Sequence, residues 1–124
     1  MPIVTLHITE GQDAARKAAL LQASTQAIEA SIGAPINSIR IMMQEYKAEN
    51  VMLAGQAGQT LVHYQTYLIA GRMPEQKAAL ISALNGAACL ALGVTGNQVR
   101  VTVLDVPKTD MGVADGITAL AAGR

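Results

Sequence analysis

The sequence predicts an α+β fold in which two tandem β-α-β units form one four-stranded mixed sheet with both helices on one face. Three observations lead to this fold: an internal repeat, runs of β-branched residues that open each repeat, and apolar residues at helical spacing after them. A chain of 124 residues is long enough to bury a real core. We therefore expect a single domain, residues 1–124, made of a first unit, 2–56, and a second unit, 61–116.

The repeat is the strongest of these signals. The segment GQDAARKAALLQA (11–23) resembles GRMPEQKAALISA (71–83), and both contain the tetrapeptide KAAL. The same offset of 60 residues continues without a gap, so that PINSIRIMM (35–43) aligns with TGNQVRVTV (95–103). A gapless match across a helix, a turn and a strand predicts two copies of one structural unit.

Each unit contains two predicted strands. The first strands, 2–9 and 61–69, are rich in β-branched residues, and the second strands are expected at 38–46 and 98–106. A crossover helix between two strands of one sheet normally makes them parallel. The linker 47–59 has room for a short hairpin. Because little chain is left to cover the second face of the sheet, we expect copies of the protein to associate in a closed ring.

The helices of the two units have recognisable ends. Asp13 suits a helix N-cap, and Pro74 suits the first helical position of the second copy. Gly33 and Gly93 follow the last residues at helical spacing, where a glycine cap is typical. The sequence therefore predicts one long helix between the two strands of each unit.

Composition excludes several classes of protein. Nine basic and nine acidic residues give a net charge of zero, and no basic run is longer than Arg16-Lys17, so nucleic-acid binding is not expected. The chain has no signal-peptide pattern and no membrane-spanning stretch, and the single Cys89 fits a reducing compartment, so the cytoplasm is the expected location. His7 and His63 lack metal-ligand spacing, and no phosphate loop is present; we expect neither metal nor cofactor.

The two copies differ at positions that carry chemistry. Pro2 aligns with Val62, and Gln12 aligns with Arg72. If Met1 is removed, Pro2 has a free secondary amine, whose ordinary pKa near 8 allows proton exchange close to neutral pH. The two losses are complementary if one site pairs the proline of the first half with the arginine of the second.

These features resemble the tautomerase superfamily, specifically its 4-oxalocrotonate tautomerase (4-OT) group in a form that fuses two short units. The resemblance rests on PIVTLHITEG after Met1, on KAALLQASTQAIEASIGAP and SIRIMMQE, and on GRMPEQKAALI and QVRVTVLD in the second copy. It covers about residues 2–55 and 62–116. It implies the tautomerase fold, also that of the MIF-like proteins.

The resemblance also implies a reaction: keto–enol proton transfer on small 2-oxo or dicarboxylic acids, with an N-terminal proline as general base and arginines that bind the carboxylate. Fused members typically assemble as trimers, which implies a homotrimer with a small carboxylate as its substrate. An aromatic wall residue of the short enzymes is replaced here by a valine or a methionine. Carried over position by position, the implied catalytic residues are Pro2, Arg72 and Arg40, and the implied substrate-binding residues are Arg100, Met111 and Val51.

Two alternatives remain open from the sequence. On the same scaffold, a hydratase or dehalogenase of 3-haloacrylates would need a carboxylate to activate water, and Glu49, Asp110 and Asp115 lie in suitable segments. In a different class, the chain could be a non-catalytic β-α-β module that binds a small ligand. Removal of Met1 and labelling of Pro2 by 3-bromopropiolate would favour the enzyme.

Overall fold

A computed structural model describes residues 1–124. Each half of the chain folds as a strand, a long helix and a second strand, and a small hairpin lies between the halves. The elements are β1 (Ile3–Thr9), α1 (Ala14–Ile32), β2 (Arg40–Tyr46), β3 (Met52–Leu53), β4 (Gln56–Ala57), β5 (Val62–Ile69), α2 (Pro74–Leu92) and β6 (Val99–Val106).

The four long strands form one mixed sheet in the order β2-β1-β5-β6. β1 pairs with β2, and β5 with β6, in parallel, whereas β1 and β5 pair antiparallel at the centre. In this central pair Ile3 lies opposite Tyr67, and Ile8 lies opposite Val62. The predicted fold class is confirmed. The antiparallel centre also places the start of each unit beside the end of the other unit's first strand.

The helix ends follow the sequence signals. Asp13 caps α1, because its carboxylate Oδ1 accepts a hydrogen bond from the backbone N–H of Arg16 at 2.8 Å. Pro74 is the first residue of α2, where its missing N–H costs nothing. Gly33 and Gly93 follow the helices with φ of 67° and 68°, a left-handed conformation that side chains disfavour. Neither helix combines the length and the apolar character needed to cross a membrane.

The core lies between the helices and one face of the sheet. Alternate residues of β1 are fully buried there, because successive side chains of a strand point to opposite faces. Alternate residues of β5 do the same, and leucines and isoleucines of both helices pack on them. The fully buried aliphatic residues of this core are Val4, Leu6, Ile8, Leu20, Ile28, Val62, Leu68, Leu80, Leu84 and Ala88.

One polar pair lies inside this core. The hydroxyls of Ser24 and Tyr64 are 2.7 Å apart and hydrogen-bonded, and both residues are fully buried. Their counterparts at the offset of 60 residues are Leu84 and Val4, which pack as apolar side chains. Burial raises the pKa of Tyr64 to about 12, because the phenolate would lose its hydration. The cores of the two halves are therefore alike in shape and different in polarity.

The second strands begin later than the sequence predicted. Residues 36–38 and 96–98 form short 3₁₀ turns, so β2 starts at Arg40 and β6 at Val99. In the first half, the backbone N–H of Ser38 donates to the carbonyl of Pro35 at 2.9 Å, and its hydroxyl donates to the same carbonyl at 2.8 Å. These bonds take Ser38 away from the sheet. β1 starts at Ile3, one residue after the proline.

Candidate active site

A cavity of about 510 Å³ lies where the chain begins. It forms there because the antiparallel centre of the sheet brings the start of β1 next to the end of β5. After β5 the chain continues through Ala70 and Gly71 to Arg72, and all three residues line the cavity. Met1 forms part of its wall, together with the segment between α1 and β2 and two residues of the last segment of the chain. Its polar lining comprises Asn37, Ser38, Arg72, Lys108 and Arg124.

Pro2 is held firmly next to this cavity, since it directly follows the lining residue Met1. Its side chain is fully buried, and its carbonyl accepts a hydrogen bond from the backbone N–H of Arg40 at 3.0 Å. The side chain of Met1 packs against a small apolar cluster that contains Met111 and Ile69. The nitrogen of Pro2 is here an amide, since it is joined to Met1, and it becomes an amine when Met1 is removed.

The environment of the chain start disfavours positive charge. Burial lowers the pKa of the Met1 amine below its ordinary value, and the guanidinium groups of Arg72 and Arg124 lower it further. Both causes act in the same direction, because one removes water and the other adds like charge. An amine at this place is therefore more readily neutral, and hence basic in the catalytic sense, near neutral pH.

The cations of the cavity have no acidic partner within the chain. Arg72, Lys108 and Arg124 belong to neither of its two ion pairs, and the cavity lining contains no Asp or Glu. The two ion pairs occupy matching places in the two halves: Lys17 with Glu45, and Lys77 with Asp105. The three cations are therefore available to an anion that enters the cavity.

The other predicted arginines lie outside this cavity in the single chain. The guanidinium of Arg40 is exposed and makes no hydrogen bond, although its backbone contacts Pro2. The guanidinium of Arg100 donates through Nη1 to the carbonyls of Asn97 and Val99 at 3.1 and 2.9 Å. It lines a separate cavity of about 410 Å³.

The two apolar candidates also separate. Met111 is buried in the cluster on which Met1 packs, so it lies beside the chain start. Val51 is buried near His7 and Tyr46, at the far end of β1. Within one chain, Arg72 and Met111 therefore each lie near Met1, the residue joined to Pro2.

At the corresponding place in the second half the chain is continuous, and the cavity of about 410 Å³ beside it is lined by Leu61, Asn97 and Gln98. Leu61, the counterpart of Met1, donates its backbone N–H to the hydroxyl of Thr9 at 3.0 Å. The side-chain amide of Gln98 donates to the carbonyl of Thr60 at 3.0 Å. Gln12 stands where Arg72 stands beside the chain start. We call the end of the central strand pair beside Met1 the open end, and the end beside Leu61 the closed end. This end has no free chain start, and the guanidinium beside it, that of Arg100, is bonded to carbonyls of its own chain.

Two residues of the cavity, Lys108 and Arg124, were missed from the sequence. A signal for Lys108 was present, because its counterpart at the offset of 60 residues is Ala48, so it differs between the halves as Arg72 and Gln12 do. Arg124 lies beyond the repeat, and no pattern in the sequence indicates that the last segment folds back onto the chain start.

Known proteins resemble the chain in two ways. The family model for the tautomerase enzymes matches residues 2–59. A 2-hydroxymuconate tautomerase from Comamonas testosteroni is 42% identical over 60 residues, which are 94% of that protein and 48% of this chain. These short proteins correspond to one β-α-β unit.

Solved structures match both units at once. The wild-type fused 4-OT Q0, a symmetric trimer, is 50% identical with a TM-score of 0.95, and the match covers 98% of this chain and 99% of that one. Pt0534, inactivated by 2-oxo-3-pentynoate, is 41% identical with a TM-score of 0.96 and the same coverage. The chain therefore belongs to the tautomerase family, as a fused member of its 4-oxalocrotonate tautomerase group of isomerases.

Proposed function

We propose that this protein catalyses keto–enol proton transfer on a small 2-oxo or dicarboxylic acid, with Pro2 as the general base after Met1 is removed. One observation supports this most directly: Arg72 lines the same cavity as Met1, the residue joined to Pro2, and Pro2 and Arg72 are each present in only one half of the chain. Neither half supplies both residues by itself. The arrangement joins a proton acceptor to a carboxylate-binding cation at one place.

The proton transfer needs only the Pro2 amine. Without Met1, the Pro2 nitrogen takes a proton from the enol hydroxyl, the C–O bond gains double-bond character, and a carbon of the conjugated chain takes the proton back. One O–H bond is broken and one C–H bond is formed, so no external reactant is consumed. Burial and nearby guanidinium groups, which lower the pKa of the Met1 amine, would act on the adjacent Pro2 amine as well.

Arg72 would bind the substrate carboxylate and stabilise the charge that develops on the enolate. A guanidinium suits this role because it presents two parallel N–H donors and keeps its charge at neutral pH. Met111 would form an apolar wall beside the reacting carbon, since it is buried next to the chain start. This wall replaces the aromatic side chain of the short enzymes.

A second arginine would come from a neighbouring copy in a homotrimer. Two observations support the trimer. The fused 4-OT Q0 is a symmetric trimer. On the sheet face opposite the helices, alternate residues of β1 and β5 are no more than half-buried within one chain. Between the two candidates, Arg40 has an unpartnered guanidinium, whereas Arg100 is bonded to carbonyls of its own chain. Arg40 is therefore the better supported choice, with Arg100 as the alternative.

The test is ketonisation of 2-hydroxymuconate, followed by absorbance, with wild type and Pro2→Ala compared. Intact mass first establishes that both proteins have lost Met1. We expect Pro2→Ala to lower kcat/KM at least about 100-fold, the usual scale for loss of a positioned general base. Equal rates for the two proteins would overturn the role of Pro2.

A covalent probe provides a second readout. We expect 2-oxo-3-pentynoate or 3-bromopropiolate to label the wild-type chain once, at Pro2, and to stop turnover. Chloride release from 3-haloacrylates without ketonisation would instead favour the hydratase or dehalogenase. That reaction needs a carboxylate at the reacting atoms, and Glu49, Asp110 and Asp115 do not line the cavity.

A further inference from the structure

Met1 is packed into the folded chain, although the proposed function needs it to be removed. Its side chain packs on the apolar cluster whose buried members are Ile69, Met111 and Ala119. Burial also lowers the pKa of its amine, because the ammonium form loses part of its hydration there. The first residue of the chain is therefore held by contacts and is not a free end.

The bond that would be cut leads directly into the central strand pair. Pro2 is fully buried, and its carbonyl accepts a hydrogen bond from the backbone N–H of Arg40 at 3.0 Å. The next residue, Ile3, pairs with Arg40 on one side and with Tyr67 on the other. β1 thus has a strand on each side from its first residue. Freeing Met1 and Pro2 from the surface requires the start of this strand to open.

The contacts that hold Met1 are made by residues that are synthesised late. All three buried members of the cluster belong to the second half of the chain, so the first half alone cannot form it. Synthesis adds about 5–20 residues per second, so the roughly 110 residues between Met1 and Met111 take roughly 5–20 s. During this interval the cluster does not yet exist, and Met1 is accessible.

The internal repeat shows that this packing is specific to the open end. At the closed end the counterpart of Ile69 is Thr9, whose hydroxyl accepts a hydrogen bond from the backbone N–H of Leu61 at 3.0 Å. Ile69 has no hydroxyl, and Met1 packs on the apolar cluster that contains it. Each end therefore holds its segment in a different way: by a hydrogen bond to a continuous chain, or by apolar packing on the first side chain.

We infer that Met1 can be removed only before the second half of the chain folds, and that a folded chain which still carries Met1 is an inactive form that is no longer processed. The removal is a hydrolysis by a methionine aminopeptidase. Water adds across the Met1–Pro2 amide: the carbonyl carbon of Met1 takes the hydroxyl, the nitrogen of Pro2 takes the hydrogen, and free methionine leaves. Such an enzyme has to enclose the residue that it removes and the bond after it, and the buried start of the chain prevents this.

The inactivity of the unprocessed form rests on the proposed proton transfer at Pro2, whereas the order of removal and folding does not. The rate of removal from a folded chain follows the population in which the chain start is open. Strands in the middle of a sheet open rarely, because their opening requires much of the fold to be lost. We therefore expect the folded chain to lose Met1 at least about 100-fold more slowly than a short peptide of the same sequence.

The experiment uses cell-free translation from purified components that lack methionine aminopeptidase, which gives the unprocessed chain. The enzyme is added either during synthesis or after the full-length chain has folded, and intact mass measures the loss of Met1 with time. The peptide MPIVTLHITE, residues 1–10, gives the rate for an unfolded chain start. We expect nearly complete removal during synthesis and a rate at least about 100-fold below that of the peptide after folding. Equal rates for the folded chain and the peptide would overturn the inference.

Met111→Ala tests the contact that holds Met1, and Met52→Ala is the matched control. The control makes the same change at a residue of the small hairpin that is 67% exposed. We expect the folded Met111→Ala chain to lose Met1 about tenfold faster than wild type, because truncation of a buried side chain raises the open population. The control should keep the wild-type rate. A wild-type rate in Met111→Ala would overturn the role of the cluster, and the comparison of wild type with the peptide depends on neither variant.

Labelling by 3-bromopropiolate connects the order of events with activity. We expect the labelled fraction of a mixed sample to equal the fraction that lacks Met1, since an amide nitrogen at Pro2 is not nucleophilic. Label on Pro2 in chains that keep Met1 would contradict the inactivity of the unprocessed form. Intact mass needs no turnover, so a fully processed chain that ketonises no enol contradicts the proposed function and leaves the order of removal and folding supported.

Discussion

The two ends of the central strand pair are related by the repeat, and the proposed function rests on the differences between them. At one end the chain begins, and the cavity beside it holds three cations. At the other end the linker runs into β5, where Thr9 binds the backbone N–H of Leu61 and Gln12 takes the place of Arg72. Val62 shows that the strand itself does not need a proline at this position. Duplication thus kept the scaffold at both ends and the cationic site at one.

The antiparallel centre of the sheet explains which residues the open end received. Because β1 and β5 run in opposite directions, the start of the first half lies next to the end of β5. The arginine near the chain start is therefore Arg72 of the second half, whereas Gln12 follows β1, whose end lies at the closed end. The loss of the arginine at Gln12 and the loss of the amine at Val62 therefore fall at the same place, the closed end.

The largest expected effect comes from making the open end like the closed one. We predict that Arg72→Gln, which copies Gln12, lowers kcat/KM for 2-hydroxymuconate about 100-fold, or about 2.7 kcal/mol of transition-state stabilisation. The physical reason is that glutamine has the hydrogen-bonding groups and lacks the charge. Steady-state ketonisation rates at several substrate concentrations measure the effect.

Gln12→Arg is the reciprocal control. It restores a guanidinium at the closed end, where Leu61 still has an amide nitrogen tied to Thr9. We expect unchanged kcat/KM and one labelled proline per chain with 3-bromopropiolate. Wild-type activity in Arg72→Gln would contradict the assignment of the open end.

The next effect concerns the cores of the two halves, which differ by the pair Ser24 and Tyr64. The pKa of Tyr64 is about 12 in the folded protein, against about 10 in an unfolded chain. Above pH 10 the unfolded state loses this proton first, so folding stability falls as the pH rises towards 12. At pH 11 this loss is about 1.4 kcal/mol in the free energy of unfolding, relative to pH 8.

Tyr64→Phe isolates this effect from the titration of other groups. The variant has no phenol to ionise, and urea unfolding at pH 8 and pH 11 should show a smaller loss than in wild type. It is also less stable at pH 8, by roughly 1–3 kcal/mol, because the buried hydroxyl of Ser24 loses its partner. The same loss between pH 8 and pH 11 in both proteins would show that Tyr64 does not control alkaline stability.

The smallest effect belongs to the closed end itself. Thr9 donates to the carbonyl of Gln59 at 2.8 Å and accepts from the N–H of Leu61 at 3.0 Å. Thr9→Val removes both bonds and should lower the free energy of unfolding by about 1 kcal/mol. Thr9→Ser keeps the hydroxyl and serves as the control in urea unfolding. Ketonisation should be unchanged in both variants, and a loss of activity in Thr9→Val would mean that the closed end takes part in the reaction.

Much of the fold could be predicted from local signals, since each of them acts within a few residues. Asp13, Pro74, Gly33 and Gly93 determine helix ends through their own side chains and backbone preferences. The start of β2 was less predictable, because the hydroxyl of Ser38 bonds its own turn and competes with the sheet. A residue type that suits both a turn and a strand does not indicate which structure forms.

The candidate site divides in the same way. By itself, the sequence determined the repeated units, the candidate amine at Pro2 and the contrast between Arg72 and Gln12, because a duplicated chain can be compared with itself. Only the tertiary structure decided that Lys108 and Arg124 line the cavity and that Arg40, Arg100 and Val51 lie outside it in one chain. These placements depend on the antiparallel centre of the sheet and on the return of the last segment, which are contacts between residues far apart in sequence.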